Sequence, residues 1–278
     1  RVRQFWSTIA NRTRRSLSNQ RSACIIAITK ISRHTIISFR IHSAVSTMKP
    51  TTETLKAQFQ PKESQVLKID RQLCVARFSP NGEMIAAGGF DGKVRRWDLT
   101  GEKAVELPVW DTKGGWVQDL AFHPTDPKLF TVDSWGALQA WSLSGKTPKS
   151  IWSHQQAHQG WIHSLAITKD GSLLGTTGID GKVHVWSTTD GKLRRTFSEH
   201  QAEAFAVAFH PDGKSIVSGD LLGRVLIRDV ASGKVIRELD AKILFKGHRL
   251  QQVGGVRVLA FDGTGTRLFV AHHRSGGL

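Results

Sequence analysis

The sequence has no tyrosine and only two cysteines, Cys24 and Cys74. Two cysteines can build neither a disulfide framework nor a cysteine-rich zinc site. No stretch of about 18 uncharged apolar residues is present, the length a membrane-spanning helix needs. The best candidate, residues 24–41, is broken by Lys30, Arg33, His34 and Arg40, so no membrane contact is expected. Enzyme signatures are missing too: there is no His-Glu-x-x-His, Cys-x-x-Cys, Gly-x-Ser-x-Gly or phosphate loop. Gly88-Gly89-Phe90-Asp91-Gly92-Lys93 imitates a phosphate loop, but its spacing is wrong and Val94 stands where a hydroxyl is needed. The adjacent His272 and His273 would point to opposite faces of a strand, which argues against a shared metal. These absences exclude catalysis by the usual motifs, and no metal or cofactor is expected.

Acidic residues are also missing from one end. Residues 1–52 hold ten of the chain's basic residues and no acid, and the first acid is Glu53. Of a net charge of +16, ten charges therefore sit in this leader and six are left for the other 226 residues. The basic character of the whole thus says little about the folded part, and a nucleic-acid partner is not expected there. The leader suits an organelle transit peptide or a phosphate-binding arm. It equally suits sequence read upstream of a true start at Met48, where the composition changes. Residues 1–52 are expected to lie outside the fold, disordered or not native, with 53–69 as a linker and an orphan outer strand. The protein is expected in the cytoplasm, or in an organelle if the leader is a genuine targeting signal.

What the chain has in quantity is glycine (26) and tryptophan (9), and both fall in register. The phrase Phe78-Ser79-Pro80-Asn81-Gly82 returns in variant form at Phe122, Ile167, Phe209 and Phe261, at separations of 44, 45, 42 and 52 residues. Fourteen residues after the first four anchors stand Gly92, Gly136, Gly181 and Gly223, and nineteen after them stand Trp97, Trp141, Trp186 and Arg228. Each unit reads as four short strands. In the third, an apolar run to Ile167 is followed by a turn at Lys169-Asp170-Gly171. A second strand covers 173–178, Asp180-Gly181 gives a tight hairpin, and two further strands carry Trp186 and Phe197.

A repeat of this length, with four strands and Trp-Asp closing the third (Trp97-Asp98), resembles the WD-repeat family of β-propellers. The resemblance covers roughly 64–271, with units near 70–110, 111–156, 157–200, 201–245 and an incomplete 246–278. It implies an all-β propeller of four-stranded blades, about five of them present, and a larger ring of typically seven. It also implies a structural network of His, Ser/Thr, Asp and Trp. Only the third unit matches it in full, with His158, Thr176, Asp180 and Trp186. The first unit keeps Asp91 and Trp97. The second and fourth place Trp135 and Leu222 in the Asp position.

The function this resemblance implies is a non-catalytic scaffold that binds other proteins. Two alternatives stay open: a fragment of a larger protein with a catalytic, signalling or electron-transfer domain beyond Leu278, and nucleic-acid binding through the leader. Loops before first strands and second hairpins share one rim of a propeller. The candidate partner-binding residues are therefore Trp116 and Trp161 on the loops, and Phe90, Trp135, Ile179 and Leu221 at the hairpin tips. The bland alternative for these rings is packing on the next blade. Basic Arg95, Arg96, Lys182, Arg194 and Arg195 are expected on a solvated outer face.

Overall fold

The computed structural model describes residues 24–28, 65–242, 245–247 and 252–271. It divides into two units, 1–72 and 73–278. The first holds an antiparallel pair, β1 (Cys24–Ile28) and β2 (Gln65–Ile69), in which Cys24 faces Ile69 and Ile28 faces Gln65. β2 is the strand foreseen as orphan. Its partner was not foreseen, because Cys-Ile-Ile-Ala-Ile was read as scattered apolar residues within a basic leader, although it is a β-branched run with high strand preference.

The second unit is a succession of antiparallel four-stranded sheets, each taken in chain order. They are β3 (Leu73–Phe78) to β6 (Val105–Asp111), β7 (Val117–Phe122) to β10 (Lys149–His154), β11 (Ile162–Ile167) to β14 (Leu193–Phe197), and β15 (Ala204–Phe209) to β18 (Val235–Asp240). A small pair, β19 (Phe245–Gly247) with β20 (Gln252–Gly254), precedes β21 (Val258–Phe261) and β22 (Leu268–Ala271), the two inner strands of a fifth sheet. The architecture is the all-β, bladed one expected from the repeat. The β19–β20 pair has no counterpart in the other units and accounts for the longest anchor spacing. His248, His272 and His273 lie outside the described residues.

The repeated glycine fixes the second hairpin of each blade. Gly181 has φ +70° and Gly223 φ +89°, a left-handed backbone in which a Cβ would be strained. The inner strands add a second recurring device. In β3, β7, β11 and β15 the register shifts at the same place, between Leu73 and Val75, Val117 and Asp119, Ile162 and Ser164, and Ala204 and Ala206. A bulge inserts one extra residue opposite the neighbouring strand and re-aims its side chain. Here those residues are Cys74, Gln118, His163 and Phe205.

The core lies between blades rather than within any one. Phe130 and Leu138 of the second blade pack with Ile162, Leu174 and Trp186 of the third. Val183 and Phe197 of the third pack with Val207 and Ile216 of the fourth. Each such side chain, taken from water, contributes about 1.5–3 kcal/mol, so no blade can bury its faces alone. Two of the basic residues expected in solvent are in this interior. Arg96 is 1% exposed, stacks on Trp110 at 4.9 Å and donates to the Lys146 carbonyl, while Arg95 pairs with Asp91 at 2.7 Å. Long apolar stems and a planar guanidinium that stacks on an indole make this burial tolerable. Arg194 and Arg195 are exposed as expected.

Neighbouring blades come into close contact where β4 (Met84–Gly89) meets β7, and where β16 (Ser215–Asp220) meets the segment before β21. A Cβ on Gly88 would lie 2.7 Å from the Val117 Cβ, and one on Gly219 would lie 2.6 Å from the Val256 Cβ. Gly88→Ala and Gly219→Ala should each lower stability by about 1–3 kcal/mol through overpacking, read from denaturant midpoints. Val117→Ala should recover part of the Gly88→Ala loss. Unchanged midpoints, or no recovery, would mean that the blades have slack at this contact.

Candidate protein-interaction site

The site is positioned from below by buried polar chains. In the third blade, the Trp186 indole N–H donates to Thr176 Oγ1 at 2.9 Å. Thr176 in turn meets His158 Nε2 at 2.8 Å, and His158 Nδ1 meets Asp180 Oδ1 at 2.9 Å. The Thr176 hydroxyl and both imidazole nitrogens thus all have partners. Asp180 also accepts the N–H groups of Gln159 and Lys182. Burial by itself would raise the Asp180 pKa. The hydrogen bond and charge of His158, with those two N–H groups, outweigh it and hold the carboxyl well below the usual range. This chain ties the loop that ends in Trp161 to the hairpin that carries Ile179.

The fourth blade has a complete chain of its own, contrary to the sequence reading. His200 Nδ1 lies 2.9 Å from Asp220, His200 Nε2 lies 2.8 Å from Ser218 Oγ, and Arg228 donates to the same hydroxyl at 3.1 Å. Arg228 takes the place of the tryptophan, and its second arm reaches Glu199 at 2.8 Å. The carboxylate was sought at Leu222 but comes from Asp220, two residues earlier. Strand side chains alternate, so a shift of two keeps the same face. The second blade uses the same shift. Asp133, not Trp135, accepts the N–H groups of Gly115, Trp135 and Ala137, and Trp141 donates to Thr131 at 3.0 Å. In the first blade Asp91 binds Arg95 and the Lys93 N–H, and Trp97 is buried.

On the rim above these chains the rings meet. Phe90 and Trp116 have centroids 4.7 Å apart, and Trp116 and Trp161 stand edge to face at 5.5 Å. The line continues through His163 at 6.3 Å from Trp161 and Phe205 at 4.2 Å from His163, and ends with the Arg257 guanidinium 3.4 Å above Phe205. Phe90, Trp116 and Trp161 are each 36–41% exposed. They contact the next blade and also face solvent, so the two readings of these rings are not exclusive.

The other candidates divide. Trp135 is the most exposed, at 68%, and lies against Gly115, while Ile179 is exposed beside Gly160. Leu221 is buried, a correction to its place in the candidate set: its N–H is held by the Glu203 carbonyl, and Gly255, with φ +74°, sits on its backbone.

His163, Phe205 and Arg257 were not foreseen. His163 and Phe205 occupy the bulge position four residues before the anchor, and Arg257 the same place in the fifth unit. Residue type varies freely there, so only the bulge, invisible in sequence, groups them. Burial, then Arg257 and His158, pushes the His163 pKa down to about 4. Burial, then His158, does the same to His184, which stacks on His158 at 4.2 Å. Among the described residues no group of three His, Cys, Asp or Glu is placed to hold a metal ion, and no helix is long and apolar enough to cross a membrane.

Comparison with known proteins agrees with this anatomy. The family described as WD domain, G-beta repeat, matches residues 62–98, 149–187 and 191–229. The chain carries WD repeats, folded as β-propeller blades. It is 29% identical over 190 residues to mouse (Mus musculus) telomerase protein component 1, a match covering 68% of this chain and 7% of that protein. It is 25% identical over 205 residues to WD repeat-containing protein 1 of Bos taurus, covering 72% and 32%. It is 25% identical over 195 residues to actin-interacting protein 1 of Drosophila melanogaster, covering 70% and 31%. The chain thus spans under a third of the length of each of these relatives. The match at 62–98 begins before β2 and includes it.

Two outcomes test this site. Trp186→Phe and Asp180→Ala should each cost about 1–3 kcal/mol, the scale of a buried hydrogen-bond partner lost, and the double variant should cost less than the sum. Strict additivity in denaturant melts would break the chain between them.

The second outcome concerns pH. His163 and His184 have folded pKa values below the ordinary 6.5. The unfolded chain therefore binds more protons between about 6.5 and 4, and stability is full above that window and falls through it. Asp180 adds a loss only below the ordinary carboxylate value. The melting temperature should drop from neutral pH to about 4, and less steeply in His184→Gln. A flat profile would contradict the burial of both rings.

Proposed function

We propose that this chain is a non-catalytic scaffold that captures another protein on the ring-lined rim of its blades. One observation carries the reading: Phe90, Trp116, Trp161, His163 and Phe205 form a continuous line across four consecutive units, three of its rings half exposed. Rigid aromatics in a contiguous patch supply the large contact area and low ordering cost typical of binding hot spots. Names such as telomerase protein component and actin-interacting protein, borne by relatives, accord with a role in binding other proteins.

The hydroxyl–imidazole–carboxylate chains support the non-catalytic side. Thr176–His158–Asp180 and Ser218–His200–Asp220 have the connectivity of a nucleophile with its base and orienting acid. Both imidazoles have no exposed side-chain surface, and each hydroxyl oxygen already accepts a hydrogen bond, from Trp186 or Arg228. A nucleophile must present a free lone pair to substrate, and these are sealed by their own blades.

Trp116→Ala and Trp161→Ala should each weaken partner capture by about 2 kcal/mol or more, the hot-spot scale, with little change in melting temperature. Ile236→Ser, on the exposed outer strand β18, should leave capture intact. If the tryptophan variants lower the melting temperature and keep the partner, the rings serve blade packing alone.

A further inference from the structure

The anchor phrase of the first unit carries a chemistry that the rim does not use. Asn81 is the one asparagine beyond residue 19, and a glycine follows it. The pair lies in the turn between β3 and β4, where Asn81, Gly82 and Glu83 are all exposed. Gly82 takes φ +73°, and a Cβ there would meet no atom within 4 Å. Its nitrogen is therefore shielded neither by a side chain of its own nor by a neighbouring blade.

The Asn81 amide is arranged as an electrophile. Its Oδ1 accepts the Ser79 hydroxyl at 2.6 Å and the Glu83 N–H at 3.2 Å. Both donors face the oxygen on which negative charge grows when a nucleophile attacks the amide carbon. The adjacent nucleophile is the Gly82 nitrogen, which needs no second molecule to reach that carbon. The Gly82 N–H is held by the Ser79 carbonyl at 2.9 Å, so the turn must open for attack, and the reaction is slow and follows the age of the chain.

The matching turns of the third and fourth units hold Asp170 and Asp212 in place of Asn81. Each Oδ1 accepts the N–H two residues on, at 3.0 and 2.8 Å. A carboxylate thus fits this turn, and an ionised one resists nucleophilic attack, which sets Asn81 apart from those Asp-Gly pairs. The residues that follow differ as well. Glu83 Oε2 accepts from Asn81 Nδ2 at 2.8 Å, where the other two turns have Ser172 and Lys214. An acid at position 81 would turn that hydrogen bond into a contact between carboxylates.

We propose that Asn81 is a site of spontaneous deamidation in the folded chain. The Gly82 nitrogen gives its proton to solvent and bonds to Asn81 Cγ. The bond from Cγ to the side-chain nitrogen breaks, and ammonia leaves with a proton from water. Water then opens the resulting succinimide ring. Breaking its bond to Cγ leaves aspartate, and breaking its bond to the main-chain carbonyl carbon leaves isoaspartate, with the chain running through the former side chain. No oxidant or reductant takes part.

The test holds the full chain folded at mildly alkaline pH and follows the tryptic peptide from Phe78 to Lys93 by mass spectrometry. The peptide should gain the mass of acid over amide and separate into isoaspartate and aspartate forms. Conversion should quicken as pH rises, because the attacking nitrogen must lose its proton. An isoaspartate-specific methyltransferase should label the aged chain. Asn81→Gln should lose both the mass change and the label, since its longer side chain closes a less favourable ring. Gly82→Ala should slow conversion by shielding the nitrogen, with melting curves confirming that both variants are folded. A peptide that keeps its amide in the folded chain and converts only in denaturant would overturn the proposal. A label undiminished in Asn81→Gln would overturn it too, placing the reaction at an Asp-Gly pair.

Discussion

The rim depends on one buried interaction, the chain from ring N–H through hydroxyl and imidazole to carboxylate that crosses the third blade. Its four members come from the loop before the blade, its second strand, its second hairpin and its third strand. In a sealed interior each link is costly to leave unmade, so the loop carrying Trp161 and the hairpin carrying Ile179 are held as one piece. The fourth blade repeats the device with Ser218, His200, Asp220 and Arg228. A ring on a loop fixed in this way loses little freedom when it binds, which is how a structural network becomes a binding property.

The fold was legible because its signals are local and repeated. A left-handed hairpin turn requires glycine, and Gly92, Gly136, Gly181 and Gly223 have positive φ. The tryptophan nineteen residues beyond each anchor is a large buried ring in the first three blades. The third blade could be read almost residue for residue, since its second strand, Leu173–Gly178, and its fourth, Leu193–Phe197, lie where the turns predicted.

The site was legible only in part, for two physical reasons. A carboxylate two residues earlier can take the same place, on an imidazole in the fourth blade and on backbone N–H groups in the second, so Asp133 and Asp220 were hidden by a rule tied to one register. A bulge costs the sequence nothing visible yet re-aims a side chain, so His163 and Phe205 gave no sign of joining Trp161. Leu221 shows the converse. It holds a hairpin-tip position like Phe90 and Ile179, but Gly255 of the following unit lies over it. Exposure in a ring of blades is decided by the neighbour, which a single repeat cannot report.

The central claim is that the half-exposed indoles of the rim, and not the buried indoles of the blades, meet the partner. Indole N–H resonances of the isotopically labelled chain, followed as a partner is added, test it directly. The resonances of Trp116 and Trp161 should shift or broaden, while those of Trp97, Trp141 and Trp186 hold their positions. Shifts confined to the buried indoles, with Trp116 and Trp161 unmoved, would contradict the account.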